Sequence, residues 1–266
     1  MMDTGGTLAT TRRYRVPIRQ LTETPAPREV TVPRAVPAEL NEAGPSKASV
    51  FLLSCGIAAP LLYVATDIVL AMRWEGYSYR DQTISELNAI GSPTRTLSIV
   101  LGIIGYAFIT AFGVGVWRSA AANRRLRVAA CGLVTLGVLG SFGVPFFPMH
   151  VREAEETLTD TLHVAQLAIA GPLLLIIIGF GAAAFGWRFR LYSGATVLVA
   201  LAFGMWAGRY GADLANDLAT PWVGIIERVS VFAYQLWLVV FAIALLGLAH
   251  ARPAQSHELR SLRSRS

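Results

Sequence analysis

A chain of 266 residues with 54% hydrophobic and only 15% charged side chains, at a mean hydropathy of +0.50, is not composed like a water-soluble domain. Such domains carry about 25% charged residues. The net charge of +6 is spread over the segments flanking six apolar stretches, so lipid headgroups account for it and no nucleic-acid partner is expected.

Residues 1–46 are polar and contain Pro17, Pro25, Pro27, Pro33, Pro37 and Pro45, with no apolar run. That composition predicts a disordered cytoplasmic tail rather than a cleaved signal peptide. Its Arg-rich part, Thr11–Gln20, suits anionic lipid, although a plain solubilising tail explains it equally.

The apolar stretches are Ser49–Met72, Arg95–Trp117, Val128–Pro148, Leu162–Trp187, Tyr192–Gly208 and Val223–His250. A hydrocarbon layer about 30 Å thick needs roughly 20 helical residues. These runs are far longer than barrel strands, and backbone polar groups in lipid must pair within the segment. The fold expected is therefore all-α, a bundle of six transmembrane helices over 47–250, with a short basic tail at 251–266. Seventeen basic residues lie in the tails and in the loops after the second and fourth helices, against six on the other side. The positive-inside rule places both termini in the cytoplasm. Arginine outnumbers lysine 22 to 1, a bias that resembles a GC-rich bacterial genome and points to a bacterial inner membrane. Cys55 and Cys131 fall inside helices and read as small core residues.

The three outer segments hold most of the acids. Loop one, Arg73–Thr94, contains Thr83-Ile-Ser-Glu86, a capping-box pattern that predicts a short surface helix over Ile84–Ile90 ended by Gly91. Asp67 lies five residues inside the first helix, roughly 7–8 Å below its outer end. A carboxylate at that depth is either a functional group in an outward cavity or the partner of an arginine such as Arg95 or Arg228. Loop three, Met149–Thr161, precedes His163, with Asp160 three residues earlier on the same helical face and His150 just past the third helix. Two histidines near acids suit zinc, yet the spacing matches no tight zinc signature, and a capping Asp160 explains the same residues. Loop five, Arg209–Trp222, offers Asp213 and Asp217 at i, i+4, a paired carboxylate set if a helical turn spans both. Glu227 and Arg228 open the last helix and point about 100° apart, so each needs its own partner; Gln235 lies two turns deeper on the Arg228 side.

The stretches YSYRDQTISELNAIGSPTR (Tyr77–Arg95), FFPMH followed by a histidine at the next helix start (Phe146–His163) and GIIERVSVFAYQLW (Gly224–Trp237) together resemble a bacterial integral-membrane family, domain of unknown function 998. The resemblance covers about residues 50–250. Met149 and His150 stand where such proteins often show an aspartate. The resemblance implies a six-helix membrane fold with these outer-face motifs and no particular activity.

Three functions fit these residues. A metal-assisted hydrolase acting on lipid would use His163, Glu227 and Asp67 for catalysis, with zinc on His163, Asp213 and Asp217 and an anionic group held by Arg95 or Arg228. A small transporter or lipid-binding protein would line an outward cavity with Asp67 and Gln235; the candidate ligand-binding residues are Glu86, Arg95, Arg228 and Gln235. A non-catalytic scaffold would use the outer loops or basic tails.

Overall fold

The structure, a computed structural model, describes residues 46–155 and 157–263, with side chains as far as 250; the tail expected at 1–46 otherwise lies outside the described residues. Among the described residues seven α-helices follow one another: α1 (Lys47–Arg73), α2 (Arg95–Ser119), α3 (Arg124–Phe146), α4 (Leu158–Ala183), α5 (Trp187–Gly208), the short α6 (Gly211–Ala215) and α7 (Val223–Arg263). All but α6 are long and apolar enough to cross a membrane. The side bearing loops one, three and five is termed outer, after the arginine distribution.

Several ends differ from the sequence expectation. α4 begins four residues early because Thr157 and Asp160 form a full capping box around its first turn. α3 begins at Arg124, where the Asn123 carboxamide accepts from the amides of Arg125 and Leu126. Helical backbone continues past His250 to Arg263.

Packing runs α4–α3–α2–α1–α7–α5. Small residues bring α3 close to both neighbours: a Cβ on Gly137 would strike Thr110 and the α2 backbone, one on Gly140 the Tyr106 ring, one on Gly132 Ile177 and one on Gly143 Gln166. Close approach of this kind is how helices gain packing energy in lipid, where apolar burial between helices contributes little.

The apolar core fills the half opposite the outer loops. Phe112, Leu133, Trp237 and Phe241 are wholly buried there, with Ile177, Phe185 and Phe189 around them. The Trp237 and Phe241 rings stack at 4.8 Å, and the indole N–H donates to Ser193 Oγ at 2.8 Å, so the indole nitrogen is not stranded. The outer half is packed differently. What α4 buries is Ile177, Ile178, Gly181 and Ala182, and what α5 buries is Ser193 and Thr196. These positions all lie within about three turns of the short connection between the two helices. Their contact is the slightest of the consecutive spanning pairs. Neither Leu158–Ile176 nor Val197–Gly208 contains a buried residue.

Candidate functional site

Loop one folds back into the outer mouth between α1, α3 and α7. The expected surface helix is instead a 3-10 turn, Ser85–Asn88, and it is not on the surface: Glu86 and Leu87 are each 1% exposed. The capping-box contacts form, with the Thr83 amide donating to Glu86 Oε2 at 2.6 Å and the Glu86 amide to Thr83 Oγ1 at 3.4 Å. Glu86 also receives Arg152 of loop three, whose Nε lies 2.7 Å from Oε1. Recruiting the carboxylate to that cross-loop pair draws the turn inward. Gly91 ends the segment at φ +94°, a left-handed conformation that suits glycine, and a Cβ there would press on Val151. Beside it Ile90 and His150 form a bridge: the Ile90 amide donates to the Met149 carbonyl and the Val151 amide to the Ile90 carbonyl.

Asp67 of α1 and Arg228 of α7 form the deepest anchor. The Arg228 Nε and Nη2 donate to Asp67 Oδ2 and Oδ1 at 3.0 and 2.9 Å, and both residues are buried. Nη1 donates to the carbonyls of Tyr79, Gln82 and Gly224, and Nη2 also to the Tyr77 hydroxyl. The guanidinium lies 3.6 Å from the Tyr79 ring centre, and the Tyr79 hydroxyl donates to Asp67 at 2.7 Å. All five N–H groups of Arg228 are thereby used. Burial pushes the Tyr77 phenol well above its ordinary range, so it stays neutral and donates a hydrogen bond shared between the carbonyls of Thr83 and Gln82.

The adjacent Glu227 turns away, as the 100° offset requires, and its Oε2 accepts from the Ile84 amide at 2.7 Å. Gly224 lets the backbones touch: its amide donates to the Arg80 carbonyl at 2.9 Å. Arg95 caps the outer end of α3 jointly with Asn88, Arg95 reaching the Pro145 and Asn88 carbonyls and Asn88 the Val144 carbonyl.

The remaining sequence candidates separate. Asp160 does not orient His163; it binds His150, accepting from the His150 amide and lying 2.8 Å from His150 Nδ1, because the early helix start turns its carboxylate toward loop three. His163 Nδ1 sits 2.9 Å from the Phe147 carbonyl. Asp213 and Asp217 are not a paired set: α6 ends at Ala215, Asp217 has φ +53°, and its carboxylate caps the Glu153 amide. Among the described residues no three His, Cys, Asp or Glu side chains gather as a metal set. Of the five charged candidates, Asp67 and Arg228 pair with each other, Glu227 binds the Ile84 amide, and Arg95 and His163 each face a carbonyl at the outer end of α3.

Asp81 closes the loop-one edge. It accepts from Arg80 Nε, Ser78 Oγ and the Trp222 amide, and this donor set lowers its carboxyl from 3.8 to about 2. A depressed folded value means that the stabilisation is present in full above the unfolded pKa near 4 and is lost as pH falls through about 2. The difference in melting temperature between wild type and Asp81→Asn should be constant above pH 4 and close between about 4 and 2. A difference that persisted at pH 2 would contradict the assignment.

Beneath loop one lies a second set of polar groups, of which the sequence reading named only Gln235. Tyr106 and Gln166 rest on Gly140 and Gly143, one turn apart on α3. Gln166 Oε1, Gln235 Oε1 and the Tyr234 hydroxyl are buried without a hydrogen-bond partner among the described residues. The available signal was a lone glutamine in an otherwise apolar helix.

Six apolar spans around a polar outer half define a multi-pass helical membrane protein. Residues 57–244 match the model of the family described as Protein of unknown function (DUF998), and the chain belongs to that family. No curated protein and no solved structure matches the chain.

Proposed function

We propose that this protein binds a membrane amphiphile in the outer half of its bundle, under loop one, with the termini in the cytoplasm of a bacterial cell and the spans in its inner membrane. The observation that carries this reading is the division of labour among the polar groups. Asp67, Glu86, Arg95, Arg152 and Arg228 are spent on fixing loop one. The amide oxygens of Gln166 and Gln235 and the Tyr234 hydroxyl remain buried and unpartnered among the described residues. An unsatisfied buried polar atom costs about 1–3 kcal/mol, so a bound polar head would recover energy there. The unpacked outer halves of α4 and α5 offer apolar chains a way out to lipid.

The hydrolase reading gains less: His163 faces a backbone carbonyl, and the zinc set His163, Asp213, Asp217 is dispersed. In the amphiphile reading Asp67 and Arg228 position the cap, while Glu227 and Gln235 contact the head. Native mass spectrometry of protein extracted from membranes should show a lipid adduct that survives detergent exchange in the wild type and is lost in the double variant Gln166→Leu, Gln235→Leu. Bare protein in both would overturn the proposal.

A further inference from the structure

At the end of the bundle opposite the outer loops, the arginines divide into two groups. Arg125 Nη1 and Arg190 Nη2 donate to the Ala183 carbonyl at 2.7 and 3.2 Å and so cap the end of α4. Arg118, Arg124 and Arg127 are exposed, and their guanidinium groups have no hydrogen-bond acceptor among the described residues. Between residues 46 and 250 no aspartate or glutamate lies at this end of a helix or in the connections 120–123 and 184–186. Three positive charges are therefore open to an anion from outside the bundle.

The Arg127 guanidinium lies 5.4 Å from the ring centre of Trp117. The same indole is one wall of an apolar depression of about 180 Å³ between α2 and α3, completed by Val114, Ala130, Cys131 and Val134. Gly113 brings the α2 backbone against Val134, and the short side chains of Ala130 and Cys131 leave room beside the ring. Arg127, Cys131 and Val134 follow one stripe of α3 at i, i+4 and i+7, and Arg124 precedes Arg127 by three residues on the same face. Seven residues at 1.5 Å each carry the stripe roughly 10 Å from the charge into the apolar length of the helix. Trp117 and Cys131 are exposed, so the depression opens sideways. Topology by itself asks only for positive charge at this end. It does not ask for an arginine seated on the wall of an apolar groove. Arg188 supplies the contrast: it lies 5.7 Å from the ring centre of Trp187, and neither residue lines this depression.

We propose that Arg127 and Arg124, with the groove between α2 and α3, form a site for one anionic phospholipid. Its phosphate is held by the guanidinium groups and one acyl chain runs along Val114, Cys131 and Val134. Guanidinium N–H groups match phosphate oxygens in geometry and charge. The groove that continues inward from Arg127 selects a phosphate that carries a chain over a free one. This site lies at the opposite end of the bundle from loop one and does not rest on the amphiphile-binding reading above.

The test uses the full chain in a maltoside detergent, titrated with dioleoylphosphatidylglycerol, dioleoylphosphatidylcholine and glycerol 3-phosphate, with bound molecules counted by native mass spectrometry. The phosphatidylglycerol should bind at concentrations about ten-fold lower than the phosphatidylcholine, the scale of one hydrogen bond to a charged group. That preference should vanish in Arg127→Gln and persist in Arg188→Gln. Cys131→Phe, which fills the groove from an exposed position, should weaken both lipids. Equal binding of the two lipids, or equal loss in Arg127→Gln and Arg188→Gln, would overturn the site in favour of diffuse attraction to a basic surface. Lipid binding unchanged in Cys131→Phe, or displacement of the lipid by glycerol 3-phosphate at matching concentration, would overturn it in favour of a soluble anion. The double variant Gln166→Leu, Gln235→Leu should keep the preference; its loss there would overturn a site separate from the outer half.

Discussion

Replacing Arg228 with methionine is expected to destabilise the protein by about 3–5 kcal/mol, the largest loss of any single polar substitution in the chain. Removal of one partner of a buried ion pair leaves the other charged and unpaired, and a loss of that size is typical. Here the stranded group is Asp67, buried in α1, which would keep only the Tyr79 hydroxyl. Arg228 also carries the carbonyls of Tyr79, Gln82 and Gly224 and the Tyr77 hydroxyl, so loop one loses its deepest attachment at the same time. The double variant Asp67→Leu, Arg228→Met should recover part of the loss, because no lone charge remains, but not all of it, because the three carbonyls stay without their donor. Melting curves of the purified single and double variants by size-exclusion fluorescence give the comparison. A single variant as stable as wild type would mean that the pair does not hold the loop.

Gly224→Val is expected to cost about 1–3 kcal/mol and to lift loop one from α7. A Cβ at this position would meet the carbonyl oxygens of Gln82 and Tyr79, which are backbone atoms, and the Arg228 guanidinium. Backbone cannot yield by changing a rotamer, so the strain is relieved only by moving the loop or the helix. Displacing the loop also breaks the two bonds that the amides of Gly224 and Ile225 make to the Arg80 carbonyl. Limited proteolysis between Arg73 and Arg95 should therefore become faster in Gly224→Val at temperatures well below its melting point. Unchanged cleavage would show that loop one is held without this contact. Gly76, near which no atom would meet an added Cβ, is the matched control position, although its φ of +84° carries its own strain.

The spans and their order were legible because lipid imposes two simple demands, apolar length and internally paired backbone, and both show in composition alone. The separate partners of Glu227 and Arg228 followed from helical geometry, since neighbours 100° apart cannot share one target. Asp67 was legible as a buried acid in need of an arginine, and its pairing with Arg228 rather than Arg95 depends on α1 lying against α7, a tertiary fact absent from local pattern. The Thr83–Glu86 box was readable as a motif, yet the same carboxylate serves Arg152, 66 residues away, and that long-range bond turns the segment inward. Asp160 shows the converse. Its place three residues before His163 suggested a pair, but the capping box fixed its rotamer toward Thr157 and His150. Gln166 and the tyrosines of the outer half were hidden because each is a single polar residue in an apolar run, and only the packing of α2 and α4 against α3 brings Tyr106 and Gln166 near one another.

The most direct measurement is a cryo-electron-microscopy map of the protein in nanodiscs made from its native lipids. An elongated density with its head against Glu227, Tyr234 and Gln235 and its tail between α4 and α5 is expected. A bundle in which the outer halves of α4 and α5 pack together, with Gln166, Tyr234 and Gln235 hydrogen-bonded to one another and no lipid between the helices, would contradict amphiphile binding at this site.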